Sequence, residues 1–215
     1  MPDCKIGEIN IFSTFGLVLQ PVTMEYPETK TTYIDIPGRD GALDLTAANG
    51  TVRFKDRSFQ LVFYKLDKSQ SWESMLRSFA NVVHGNRMQL CIDNEPYYYW
   101  TRFEIDNFST DKNIGKLVVK CTSDPYKYKL QTTVVSQEVS GSAVVNLINE
   151  RMPTCPIITA DSEMSLVWSL DEYEYTKTLP AGTWKVLDLQ LPEGVTPITI
   201  TGNGNIEFEW QEGAL

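Results

Sequence analysis

Few side chains in this sequence have the types and spacing that chemistry requires. The single histidine is His84. It closes an amphipathic stretch, and a histidine at a helix end more often offsets the helix dipole or caps a carbonyl than moves a proton. The cysteines, Cys4, Cys91, Cys121 and Cys155, lie far apart with no Cys-x-x-Cys pair. With one histidine they support neither a zinc site nor a Cys-His dyad. Gly202-Asn203-Gly204-Asn205 falls between strands rather than ahead of a helix, so it is not a phosphate loop. Asp35, Asp40 and Asp44 do not follow a calcium-loop spacing. Carboxylates are abundant, which leaves a glycosidase pair open. Their densest patch, Asp171-Glu172-Tyr173-Glu174-Tyr175, reads as the solvated face of a strand. These residues predict no enzyme, no cofactor and no metal.

Two sets of residues are candidates for binding instead. Trp168, Tyr173, Tyr175 and Trp184 could form a sugar-stacking platform, since an aromatic ring offers a flat apolar face with a polar rim. The alternative is that the tryptophans are core and the tyrosines lie at its edge. The second set is Pro37-Gly38-Arg39-Asp40-Gly41. It sits between Tyr33-Ile34-Asp35-Ile36 and Ala42-Leu43-Asp44-Leu45, two arms with apolar alternation. Pro37 presets a turn angle, the glycines accept positive φ, and Asp-Gly favours a hairpin. Arg39 offers a bidentate contact to a carboxylate on a neighbouring subunit, which makes the tip a candidate oligomer interface. The alternative is an ordinary hairpin whose charged tip is free in water.

The elements that must carry these residues are mainly strands. Residues 5–26 read as strands built on Ile6, Ile9 and Ile11, then Phe15–Leu19, then Val22–Tyr26. Val52 and Phe54, then Phe59, Leu61 and Phe63, alternate at period two and predict one buried face. One helix is predicted over about 70–84, from the apolar stripe Trp72, Met75, Leu76, Phe79, Val82, Val83. Ser69 or Ser71 caps its start and Gly85 its end, and it is expected to cover one face of a sheet. Strands resume over 88–92, 97–105 and 116–121, with turns at 93–96 and 111–113. Asp124-Pro125 ends that run, and a domain boundary is placed near residue 130. Beyond it, short β segments recur about every ten residues. They include 132–139, 143–148, 156–159, 164–168, 172–178, 184–191, 196–201 and 206–210, parted by turns such as Ser140-Gly141 and Gly202-Asn203-Gly204. The expected organisation is an N-terminal domain over 1–130 and a C-terminal β-sandwich over 131–215.

Composition narrows the class further. The 215 residues are 42% hydrophobic and 22% charged, which suits a folded chain rather than a disordered one. The net charge of −9 comes without any clustered Lys and Arg, so no specific nucleic-acid binding is expected. Met1-Pro2-Asp3-Cys4-Lys5 lacks a basic region leading into an apolar core, so no secretory signal is expected. The thiols are then read as free, and Asn49-Gly50-Thr51 and Asn107-Phe108-Ser109 gain no weight as glycosylation sites. No apolar run approaches the ~18 residues of a membrane span, so no membrane insertion is expected.

Several stretches together resemble one family. Ile34–Thr46, Ile-Asp-Ile-Pro-Gly-Arg-Asp-Gly-Ala-Leu-Asp-Leu-Thr, is similar to a signature of siphophage distal tail proteins, the Dit family. Ile9-Asn10 with Phe15-Gly16-Leu17, the single helix, and the run from Tyr97 to Tyr128 with its Asp-Pro-Tyr exit look like the same family. Ile198–Leu215 resembles the last strands of its galectin-like domain. The resemblance implies a mainly β chain: an N-terminal sandwich-like domain with one helix and an extended hairpin, then a galectin-like sandwich. It implies a structural virion protein, made in the host cytoplasm and located at the distal tail tip or baseplate. The first domain would form a homo-oligomeric ring, a hexamer in the family. That ring would join the tail-tube protein to the tail-tip protein and leave a channel for DNA. The second domain would scaffold or dock receptor-binding proteins. The rivals are a carbohydrate-binding protein acting through the C-terminal sandwich and a tail-associated hydrolase.

Overall fold

The computed structural model describes residues 3–48, 50–65, 71–111, 114–170 and 173–215. The chain divides into two units, Met1–Lys127 and Tyr128–Leu215.

In the first unit, alternating apolar residues build an antiparallel sheet. Its strands are β1 (Cys4–Ile6), β2 (Ile9–Asn10), β3 (Val18–Leu19), β6 (Arg57–Lys65), β7 (Arg87–Ile92), β8 (Tyr97–Asp111) and β9 (Ile114–Ser123). They lie in the order β2-β1-β7-β8-β9-β6-β3. Two further strands, β4 (Tyr33–Asp35) and β5 (Ala42–Asp44), pair only with each other, apart from that sheet. Along β6 the side chains of Phe59, Leu61 and Phe63 enter the core while Ser58 and Gln60 face out, as a period of two requires. Helix α2 (Trp72–Val83) lays Met75, Phe79 and Val83 on the same core. Phe79 meets Phe63 edge-on at 6.1 Å and Phe15 at 5.4 Å between ring centres. The side chain of Ser71 accepts from the Ser74 amide and starts the helix. Ser69, the other expected cap, and residue 70 lie outside the described residues.

Three expectations for this unit change, the first being that Val22–Tyr26 forms no strand; its Val22 and Met24 pack against the core as irregular chain. Ile11–Phe15 is a short helix, α1, not a strand. The Asn10 side chain accepts the Ser13 amide at 2.9 Å, and the Gly16 amide returns to the Phe12 carbonyl at 2.8 Å. Both ends of one turn are thereby satisfied locally, and Ile11 and Phe15 still reach the core. Val52 and Phe54 do not continue the buried face of β6. Val52 is 38% exposed, and Phe54 bridges Thr29 instead of joining the sheet.

Trp72 at the start of α2 lies on the backbone of β9. A Cβ built on Gly115 would stand 2.2 Å from the indole ring. Phe108 and the Nζ of Lys65 hold the ring's other contacts, at 5.8 and 5.7 Å. Gly115→Ala must therefore displace a rigid ring at a helix end. A loss of about 1–3 kcal/mol is expected, read as a lower urea midpoint with unchanged slope.

β10 (Lys127–Lys129) leads into the second unit. Here β11 (Thr133–Asn149) and β16 (Gly194–Trp210), each 17 residues long, pair without a break from Thr133↔Trp210 to Asn149↔Gly194. The other edge of β16 is shared in series. β13 (Met164–Leu170) takes Ile198–Gly202, and β12 (Ile157–Ala160) takes Ile206–Glu209. β14 (Tyr173–Leu179) flanks β13, and β15 (Gly182–Lys185) flanks β12. β17 (Gly213–Ala214) closes the chain. One buried cluster spans the unit, including Leu147, Leu166, Trp168, Ile200 and Phe208.

The sequence places turns at Ser140-Gly141 and Gly202-Asn203-Gly204, each dividing two short strands. Instead both stretches stay paired, and each predicted pair of strands is one long strand. The physical reason is that glycine bends a strand without ending its ladder. Gly141, at φ +82°, pairs with Gly202 where the neighbour of β16 changes from β13 to β12. A Cβ on Gly204 would meet Asp161 Oδ1 at 2.1 Å, and that carboxylate accepts the Asn205 amide at 2.8 Å. The glycines thus let one ribbon bend while its second edge passes from β13 to β12 within one sheet. The stretch predicted as a strand over 184–191 is shorter than expected, because β15 ends at Lys185.

Candidate functional site

The hairpin signalled by the sequence is the end of a longer arm. The Lys30 amide donates to Arg53 and the Lys55 amide to Glu28, at 2.8 and 2.7 Å. Higher up, the Leu45 amide donates to Thr32 at 2.8 Å, and β4 and β5 pair Tyr33↔Asp44, Ile34↔Leu43 and Asp35↔Ala42. Two legs, 28–36 on one side and 41–48 with 50–55 on the other, therefore run antiparallel. Lys55 Nζ lies 2.9 Å from Glu28 Oε2, which holds the Glu28 carboxyl below its usual range. A hydrogen bond from Thr46 does the same for Asp44. Both pairs are exposed, so they contribute little stability.

At the tip, the Arg39 amide donates to the Ile36 carbonyl at 3.1 Å. Gly38, the third residue of that turn, has φ +83°. Pro then Gly with positive φ is a type II turn, and a side chain at Gly38 would be strained. Pro37, Gly38, Arg39, Asp40 and Gly41 are all exposed. Tyr33, Ile34 and Ile36 below them are exposed by 59%, 47% and 39%. Among the described residues, Arg39 and Asp40 make no ion pair. The arm thus presents exposed apolar side chains beside a cation and a carboxylate that make no ion pair among the described residues.

At the base, Arg57 is buried. Its Nε donates to the Pro125 carbonyl at 2.8 Å, and its guanidinium lies over Tyr99 and Tyr26, 5.7 and 6.0 Å from the ring centres. Burial pulls its pKa below the ordinary value, against the opposing effect of the two tyrosines. Next to this anchor an open pocket of about 630 Å³ is walled by Leu19, Val22, Met24 and Tyr99, with Asp93 and Glu95 on its lining. The sequence carried no sign of it, because its walls come from residues some seventy positions apart.

The aromatic set does not form one platform. Trp168 is 3% exposed and stacks on Tyr175, its cross-strand partner, with ring centres 5.6 Å apart. Trp184 is on β15 and Tyr173 on β14, at opposite edges of the strand order β14-β13-β16-β12-β15. Tyr173 is exposed, and the Trp184 Nε1 donates to Pro180 at 2.9 Å. Asp171 and Glu172 of the acidic patch lie outside the described residues, as do Asn49 and 112–113.

His84 has a different task from the one expected. Its Nδ1 accepts the Ile105 amide at 3.0 Å, beside the irregularity in β8 between Ile105 and Asn107. It satisfies a strand donor where the ladder slips, not a helix carbonyl. His84→Ala is expected to lose about 0.5–1.5 kcal/mol in a urea titration and to leave assembly unchanged. Burial pushes the Cys4 thiol up to about 12 and that of Cys121 higher still, so neither is a nucleophile at neutral pH. Among the described residues no three His, Cys, Asp or Glu side chains converge on a metal-sized space, and no helix is long and apolar enough to cross a membrane.

This architecture is mainly β, with two units and an arm on the first. It is shared with the crystal structure of SPP1 Dit (gp 19.1), described as a paradigm of the hub adsorption apparatus in phages infecting Gram-positive hosts. The match covers 100% of both chains with a TM-score of 0.71 at 14% identity. The phage P2 baseplate in its activated conformation with calcium also aligns, over 100% of this chain and 99% of that one. That alignment has a TM-score of 0.45 at 9% identity. No protein-family model matches the sequence, and no curated protein matches it.

Proposed function

We propose that this chain is a structural hub at the distal end of a long non-contractile phage tail. The observation that carries the reading is the full-length fold match to SPP1 Dit. On this reading the first unit, with its arm, closes into a homo-oligomeric ring, a hexamer. The ring joins the tail-tube protein to the tail-tip protein and leaves a channel for DNA. The exposed arm supports it, because a ring needs a heterologous contact, one patch meeting a different patch on the next copy. The acidic balance supports it too, since DNA is repelled rather than held. The second unit scaffolds receptor-binding proteins, and no chemistry occurs. Sugar binding through the aromatic set lacks its platform while Trp168 is buried.

The location is tested on virions. Gold-labelled antibody against the chain is expected at the tail end away from the capsid. Label confined to the capsid, or absent from intact particles but present in lysate, would overturn the proposal.

A further inference from the structure

We propose that the pocket walled by Leu19, Val22, Met24 and Tyr99 receives the arm tip of a second copy of this chain, with Arg39 facing Asp93 and Glu95. The inference rests on the ring reading and names the receptor surface that the reading leaves open.

Three observations carry it. The first is chemical match. The tip offers Ile36 and Pro37 beside a cation, Arg39, which is followed by the carboxylate of Asp40. The pocket offers apolar walls and two carboxylates. Arginine forks suit paired carboxylate oxygens. The second is the backbone under those carboxylates. Asp93 and Asn94 hold φ of +58° and +54°, and the Glu95 amide donates to Ile92 at 3.3 Å. A turn with two such residues favours Asn-Gly. Asp93 keeps a carboxylate where glycine or asparagine would suit the backbone as well. Among the described residues, Asp93 makes no ion pair. Among the described residues, the ion-pair partner of Glu95 is Lys127, at 3.9 Å.

The third observation is reach. Met24 lines the pocket, and the arm's legs begin to pair at Glu28 and Lys55, next to it in the chain. From there to Ile36 the leg advances about 3.3 Å per residue, on the order of 25 Å in all. While the ladder holds, the tip is carried away from its own pocket. A copy that fills its neighbour's pocket and has its own filled in turn makes a head-to-tail contact, the kind that closes rings.

The test is a charge exchange in the full chain, with the half-assembly concentration read by light scattering and folding checked by melting. Arg39→Glu reverses the tip. Asp93→Asn with Glu95→Lys reverses the pocket while keeping a residue that tolerates positive φ at 93. Each is expected to raise the half-assembly concentration about tenfold or more. Combining all the substitutions is expected to bring it back toward wild type. If Arg39→Glu abolishes assembly but the reversed pocket assembles normally, the receptor assignment is overturned while the ring reading stands. Two defects that fail to rescue each other overturn it as well. Unchanged assembly in Arg39→Glu overturns the tip contact itself.

Discussion

Arg39→Glu is expected to yield a folded monomer. Arg39 is exposed at the tip of an arm, and among the described residues it makes no ion pair. A surface charge of that kind changes stability by no more than about 0.5 kcal/mol. Reversing a charge inside an interface, in contrast, sets like charges together and costs several kcal/mol. The two readings of the tip therefore separate cleanly. A free tip leaves melting and mass unchanged. A contact tip leaves melting unchanged and abolishes the oligomer. Gly38→Val should resemble it in assembly, because a β-branched side chain at φ +83° reshapes the turn that presents Arg39. Wild-type assembly of Arg39→Glu at low concentration and physiological salt would remove the arm tip from the account.

Trp168→Ala is expected to destabilise the second unit by about 3–5 kcal/mol, the range for emptying a buried aromatic site. The ring is 3% exposed and stacked on Tyr175, so its removal leaves a cavity between β13 and β14. Trp168→Phe should cost much less. The Trp168 Nε1 is buried without a hydrogen-bond partner among the described residues, and phenylalanine drops that donor while keeping most of the volume. The check is thermal melting of both variants. A Trp168→Ala protein with normal melting and lost cell binding would instead revive the sugar platform.

What the sequence revealed follows from how local the signal was. The arm tip was legible because Pro37-Gly38 and Asp40-Gly41 encode their turn within five residues. Helix α2 was legible because Met75, Phe79 and Val83 repeat on one face of a good capping serine. The lower leg of the arm was not. Val52 and Phe54 alternate just as a core strand does, and the partner of Phe54, Thr29, is what tells an arm from a sheet. Gly141 and Gly202 were read as turns because the same residue serves a turn and a bend. The difference lies in the 17-pair ladder that crosses them. His84 was placed at the right helix end, but its amide partner, Ile105, comes from a distant strand. The pocket was invisible for the same reason. Composition groups the four aromatic residues, and the strand order sets Tyr173 and Trp184 at opposite edges.

The central claim is the closed ring, and negative-stain imaging of the purified full chain tests it most directly. The account predicts uniform rings with a central opening wide enough for duplex DNA, each copy related to the next by one rotation. Fields of single 24.4 kDa particles at every concentration, or two-fold dimers with no opening, would contradict it.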